Sequence, residues 1–460
     1  MTRSTATLRR LPRRTRQAVP AGLLALLAGC AAYRPLPLPT APRLAASWHD
    51  LHHAGALRPP LSVPEVAALA VENDPTLRAA RASLGVARAQ VLDAGILPNP
   101  SLSAAITPVI GGPGTTTGWS VGLSQDLQAL VTLRPRLQAA RAAAGQVDAS
   151  LLWQEWQVIG QARLLTVDLV EGARLERLLR QARALLAHRY AATRAAVAEG
   201  NASLTTVSPD LAALTATERQ IDALDQLQQT RRHQLAALLG LDPGAALPLA
   251  PRLDLPVTPA AAVLASLPTL PERRPDLLAL RLGYRAQDAR VRAAILGQFP
   301  RLTIGFTSGS DTGGVRSIGP QVTLDLPVFD RNQGKIALAR ATRRQLRAEY
   351  AARLAAAVGE VRAMLADSAL LRRQLRLARR HLATTRRIAG AATAAFRAGN
   401  LTERAYVDFV TTRIETAQQI LGLEQSLLEQ QVAMATLTGA GMPAVRLTTA
   451  PPAAQAEPRS

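Results

Sequence analysis

Residues able to do covalent or ligand chemistry are few in this 460-residue chain. Its six histidines stand at 49, 52, 53, 188, 233 and 381, and the last three fall within stretches that read as long helices. His49, His52 and His53 flank Asp50 and form the one candidate for a weak divalent-metal site. No further ligand lies close by in sequence, so a solvated linker is the simpler reading. No serine sits in a nucleophile elbow, and no glycine loop joins a strand to a helix. The residues therefore argue against an enzyme and call for no cofactor. Cys30 is the single cysteine, which excludes an internal disulfide and a multi-cysteine metal site.

The surroundings of Cys30 give it a different chemistry. Residues 1–18 are basic, with Arg9, Arg10, Arg13, Arg14 and Arg16, and Val19 to Leu27 is apolar. A charged region, a short apolar region and small residues make a secretory signal. Leu27-Ala28-Gly29-Cys30 resembles a bacterial lipobox. That resemblance implies cleavage before Cys30 and attachment of lipid (palmitate) to that residue. Ala31 in the next position favours the outer membrane. Residues 1–29 are then a lipoprotein signal peptide, and 30–61 a lipid-anchored segment expected to be extended.

Composition narrows the class. The chain is 48% hydrophobic and only 3% aromatic, which fits neither disorder nor a bundle of membrane-spanning helices. The formal net charge is +21, with Lys335 the only lysine and six arginines at positions 3–16. With little aromatic interleaving, this reads as a solvated arginine-rich surface, with no nucleic-acid partner.

The elements are set out by an internal duplication. Pro75, Leu77, Ala79, Arg81, Ala89, Val91, Ala94, Pro100 and Leu102 recur 200 residues later as Pro275, Leu277, Ala279, Arg281, Ala289, Val291, Ala294, Pro300 and Leu302. The offset then becomes 199: Gly200 answers Gly399, and 235–240 answers 434–439. A period this long is a duplicated domain and not a solenoid. Residues 62–240 form the first repeat, 241–270 a proline-rich linker, 271–440 the second repeat, and 441–460 a tail expected to be disordered.

Each repeat reads as helix, β-hairpin, very long helix, tight turn, long helix, so the fold class is mainly α with a small β part. In repeat one, Ser62 caps a short helix and a second runs from about Asp74 to Gly95. Strands lie within about 100–128, where Leu102, Ala104 and Ile106, then Trp119, Val121 and Leu123, alternate with small or polar residues. A helix from about Arg136 to Ala198 and another from about Leu204 to Leu239 follow. In repeat two the strands lie within about 300–327, and helices follow at about 332–397 and Leu401–Leu437. The first of these carries Tyr350, Leu354, Ala357, Val361, Met364, Ser368, Leu371, Leu375, Ala378 and Leu382 in unbroken steps of four and three. That is a coiled-coil seam. Four strands cannot close a barrel, and lipid does not tolerate an open sheet edge. If the hairpins enter a membrane, several chains must pool them.

At this point the motifs carry a resemblance. Pro327-Val-Phe-Asp-Arg-Asn-Gln-Gly-Lys-Ile336, Asp74-Pro-Thr-Leu77, Leu97-Pro-Asn-Pro100 and Val121-Gly-Leu-Ser-Gln125 resemble motifs of the outer-membrane efflux proteins, the TolC-like family, over about residues 62–440. The resemblance implies a homotrimer with a 12-stranded outer-membrane β-barrel and a long periplasmic α-helical barrel. It also implies a periplasmic adaptor (membrane fusion) protein and an inner-membrane pump of the resistance-nodulation-division type. Leu97–Pro100 and Phe329–Gly334 are most similar to the heavy-metal cation branch, with drug efflux close behind. Asp408 matches a gate aspartate of the family, although Ala405 stands where a companion acid is expected. Asp210 and Glu403 are the other gate candidates; the simpler reading of each is a solvated charge near a helix start. Gly200, Asn201 and Leu204 in one turn, and Gly399, Asn400, Leu401 and Thr402 in the other, are the expected adaptor-docking tips. The alternative is a lipid-anchored periplasmic coiled-coil adaptor or spacer that never enters the bilayer.

Overall fold

The computed structural model describes residues 35–114 and 116–443. Cys30, the signal segment and most of the expected tail lie outside these residues. Residues 35–44 form a unit of their own without helix or strand, and the remainder forms the second unit. No helix among the described residues is long and apolar enough to cross a membrane.

The main unit opens with segment 45–61, which is not the extended linker expected. It makes two short 3-10 turns at Trp48–Asp50 and Ala54–Ala56 and buries Trp48, Leu51, Ala54 and Leu61 in the largest apolar core. Parallel bridges pair Ala45 with Leu241 and Leu61 with Leu249, so this segment lies along the start of the linker. Helix α1 (Val63–Asn73) starts from a capping box: Glu65 accepts from the Ser62 N–H at 2.7 Å and from its hydroxyl at 2.6 Å. These hydrogen bonds hold the Glu65 carboxyl below its ordinary value. Helix α2 (Pro75–Gly95) is capped by Asp74, which accepts from the N–H groups of Thr76 and Leu77.

Strands β1 (Ser101–Thr107) and β2 (Gly118–Asp126) precede helix α3 (Gln128–Ala198). At 71 residues α3 is about 106 Å long. It starts eight residues before the expected Arg136 and runs through Pro135. Asp126 accepts from the Gln128 N–H at 2.8 Å and supports that early start. Pro135 removes its own donor and crowds the Val131 carbonyl, and the rest of the ladder carries the helix past it. Helix α4 (Val207–Leu239) returns along α3. The two approach closely at Gly172, where any side chain would overlap the Gln228 amide.

The linker contains the short helices α5 (Ala260–Ser266) and α6 (Leu270–Arg273). Helix α7 (Pro275–Leu296), strands β3 (Leu302–Ser310) and β4 (Arg316–Leu324), and helices α8 (Gln333–Arg397) and α9 (Glu403–Thr438) complete the chain. Strand β4 stops at Leu324, short of the expected 327, because Pro327 follows closely. The seam on α8 forms as its spacing requires. Ala357, Val361, Ser368, Leu375, Ala378 and Leu382 are buried, and the other seam residues are half-buried. The one polar member, Ser368, pairs with Gln430 of α9 at 2.5 Å.

The strands form one antiparallel sheet in the order β1-β2-β3-β4. Leu102 lies opposite Leu123, Leu123 opposite Phe306, and Ile304 opposite Val322. Because opposite residues share a face, this register collects Leu102, Ile106, Trp119, Val121, Leu123, Ile304, Phe306, Ile318 and Val322 on one side. All of them are exposed, Ile318 by 80%. The other face carries mostly serine, threonine and glycine, with Ala105, Asp126 and Gln321. Each outer edge, on β1 and on β4, is unpaired among the described residues.

Where repeat one has Asp74, repeat two has Arg274, which is fully buried. Its guanidinium grips Asp276 at 3.0 and 2.7 Å and lies 5.0 Å from the Trp153 ring. Arg353 of α8 reaches the same carboxylate at 2.8 Å. Burial would raise the Asp276 carboxyl, but hydrogen bonds and charge from Arg274 and then Arg353 outweigh it and hold it below its ordinary 3.8. A carboxyl lowered on folding contributes stability above its unfolded pKa and loses it as pH falls through the folded one. Asp276→Asn should therefore cost about 3–5 kcal/mol at neutral pH, because it strands a buried arginine. In thermal melts from pH 7 downward, the gap from wild type should narrow only below pH 3.8. An unchanged melting temperature at pH 7 contradicts this role.

Candidate functional site: the helix tips

The end of the molecule away from the sheet is built by two turns of the same design. Gly200 and Gly399 both take φ +76°, a left-handed conformation that any side chain would strain. The Asn201 N–H bonds the Ala196 carbonyl at 2.8 Å, and the Asn400 N–H bonds the Ala395 carbonyl at 2.9 Å. These bonds satisfy carbonyls that a helix end leaves open. Leu204 stands 75% exposed beyond the first turn. Gly399, Asn400 and Thr402 are also exposed and Leu401 is half-buried, while the Thr402 hydroxyl caps the Ala405 N–H.

Just behind the tips, three helices are tied by charge. Asp210, at the start of α4, is fully buried. Arg189 of α3 meets it at 2.7 Å, Arg404 of α9 donates to it at 2.9 Å, and the Thr193 hydroxyl donates at 2.7 Å. Arg404 also donates to the Thr206 carbonyl at 3.2 Å. Arg189 turns its other nitrogen to Asp408 of α9. Burial alone would lower the Arg189 pKa; hydrogen bonds and charge from Asp210 and Asp408 outweigh it and hold it above its ordinary value. Beside this group, His188 meets Glu403 at 2.5 Å. Phe396 and Tyr406 stack at 4.7 Å and pin the end of α8 to α9.

Two of the three acids read as gate candidates are thus brought together, through Arg189. Asp210 is not the solvated charge expected near a helix start. With no exposed surface and two arginines on it, it positions α3 and α9 and cannot face a pore in this arrangement. Asp408 keeps 61% of its side chain exposed, and Glu403 29%. Arg189, Arg404 and Thr193 were not singled out from the sequence. A signal existed: Arg189 stands eleven residues before Gly200 and Asp210 ten after it, so antiparallel helices place them at one height.

The histidine cluster does not assemble. His49 contacts Ser47, His53 lies 3.9 Å from Glu72, and only the backbone of His52 is engaged, by Asn73. Among the described residues no three ligating side chains converge.

Residues 267–440 match the family of outer membrane efflux proteins. The pyoverdine export outer membrane protein OpmQ of Pseudomonas putida is 27% identical over 406 residues, covering 80% of this chain and 83% of that protein. The outer membrane protein OprJ of Pseudomonas aeruginosa is 37% identical over 113 residues, covering 22% of this chain and 24% of that protein. A solved membrane protein of Pseudomonas aeruginosa shares the fold with a TM-score of 0.69 at 20% identity, across 89% of this chain and 97% of that one. Members of the family are channels, not enzymes; they form trimers and work with periplasmic adaptors and inner-membrane pumps. The second repeat is thus similar in sequence to the outer membrane efflux proteins, and both repeats share the TolC-like fold.

Proposed function

We propose that three copies of this chain form a passive duct through the outer membrane, pooling four strands each into a 12-stranded barrel and extending helices into the periplasm. The single observation that carries this reading is the sheet. Its large apolar residues lie on one exposed face, and both of its edges are unpaired among the described residues. An apolar outer band with small polar residues behind it suits a lipid-facing barrel wall. A spacer confined to the periplasm would expose that face to water, which disfavours the alternative of a lipid-anchored coiled-coil rod. Lipid on Cys30 would add an anchor beside the barrel. A periplasmic adaptor would dock on the turns around Gly200 and Gly399, and an inner-membrane pump would supply the energy.

The gate in this reading is the ion-paired group behind the tips. Asp408 presents the exposed charge, Arg189 holds it, and buried Asp210 with Arg404 fixes the frame. Glu403, held by His188, stands beside it. Three copies of an exposed acid around one axis would attract cations at the entrance.

We read the cargo as small organic compounds, on the strength of a pyoverdine exporter that aligns along most of the chain. Heavy-metal cations, suggested by the motifs at the hairpin bases, are the second reading. Deleting the gene should sensitise cells to organic toxicants, scored by growth across a panel of drugs and of zinc, cobalt, cadmium, nickel, copper and silver salts. Sensitivity to the metals alone would reverse the order. In planar bilayers, Arg189→Ala should raise single-channel conductance severalfold, by releasing Asp408 and loosening α3 from α4 and α9. Conductance equal to wild type would remove this group from the gate.

A further inference from the structure

Coding bias accounts for arginine in place of lysine, but not for where the arginines stand. Helix α8 carries fourteen arginines and Lys335 against three acids, whereas α4 carries three arginines against four acids and α9 two against five. Within α8 the sorting is finer. With Leu354, Val361, Ser368, Leu375 and Leu382 as heptad position a, position e holds Arg372, Arg379 and Arg386, and b holds Arg362 and Arg376. Position f adds Arg373, Arg380 and Arg387. From Leu354 to Ile388 these three positions contain no acid. Positions c and g, on the opposite flank, hold Glu360, Asp367 and His381 and no arginine.

The linker identifies the outer flank. Arg372 shares a cleft with Pro256, Thr258 and Ala260, and Arg379 shares one with Arg252 and Asp254. A linker on the inner side would obstruct a duct, so the e side of α8 faces outward. Arg174 and Arg177 of α3 join Arg379 and Arg386 around a groove on this side, floored in part by Leu382, Ile420 and Leu421. Arg174 and Arg379 are paired, with Glu171 and Glu424. Arg177, Arg362, Arg372, Arg376 and Arg386 are exposed, and none meets a carboxylate among the described residues.

Unpaired like charges repel one another, and a surface that concentrates them is suited to a polyanion. The patch lies about 45–80 Å along α8 from the hairpin end, counting 1.5 Å per residue. Lipid headgroups at the membrane surface are out of reach at that distance. Its rungs at position e repeat every seven residues, about 10 Å apart, which suits an evenly repeated polymer better than a single anion. A chain that is held in the outer membrane and extends this far into the periplasm must pass the cell wall, whose peptide stems carry carboxylates.

We propose that this outward arginine flank, Arg362, Arg372, Arg376 and Arg386 of α8 with Arg177 of α3, binds the carboxylates of peptidoglycan. The proposal rests on the outer-membrane channel reading. Its test is co-sedimentation of the detergent-solubilised full chain with isolated cell-wall sacculi. Wild type should pellet at low salt and be released as salt screens the contact. The variant R177Q/R376Q/R386Q, checked for wild-type helicity and oligomer size, should be retained about tenfold less, as should wild type on sacculi whose carboxylates have been amidated. Failure of wild type to pellet, or equal retention by the triple variant or on amidated sacculi, overturns the proposal. Capture by an acidic helical-hairpin peptide in place of sacculi would likewise overturn it and assign the patch to a protein partner. Bilayer conductance of the same preparation separates the two readings. Protein that conducts but is not retained sinks this proposal alone, and protein that fails to conduct sinks the channel.

Discussion

A backbone donor or acceptor left without a partner in hydrocarbon costs several kcal/mol, and this constraint governs the whole molecule. The sheet has four strands, an exposed apolar face and two unpaired edges. In water the face would aggregate; in lipid the edges would be intolerable. Both problems vanish together when further copies extend the sheet until it closes. On the proposed reading the barrel is a property of the assembly, and the chain alone supplies one part of it.

The helices carry the consequence away from the membrane. Helix α3 spans 71 residues and α8 spans 65, and each is held by more than one partner helix along its length, so the far end is placed rigidly. At that end the chain adds buried charge to a small apolar cluster of Leu186, Leu214 and Val407. Asp210 is buried only because Arg189 and Arg404 both reach it, and Arg189 then extends the hold to Asp408. An ion-paired joint can be opened by a competing partner more readily than a packed apolar one. That contrast distinguishes the tips from the cores around Leu61 and Leu239, where α1, the linker and segment 45–61 interlock.

Much of this was legible because it is periodic. The seam from Tyr350 to Leu382, the alternation in the strands and the repeated Gly-Asn turns each impose one geometry. Legibility failed where distant residues decide the outcome. The helix is expected from Arg136, just after Pro135, yet it starts at Gln128 and runs through the proline. Segment 45–61 has the composition of a linker, but Trp48 finds cover against other elements and folds it down. Asp210 reads as a solvated charge until the arginines from two other helices are seen. The pairing of Arg274 with Asp276 and Arg353 was hidden for the same reason, since Arg353 lies on a separate helix.

The central claim is that the chain completes its sheet only with copies of itself. The most direct measurement is the protein mass of the detergent-extracted particle, with bound detergent subtracted by sedimentation or light scattering. The account predicts the mass of three chains, in a particle that keeps this mass on heating short of unfolding and loses solubility when detergent is removed. A single-chain mass in a particle that stays soluble without detergent would contradict it.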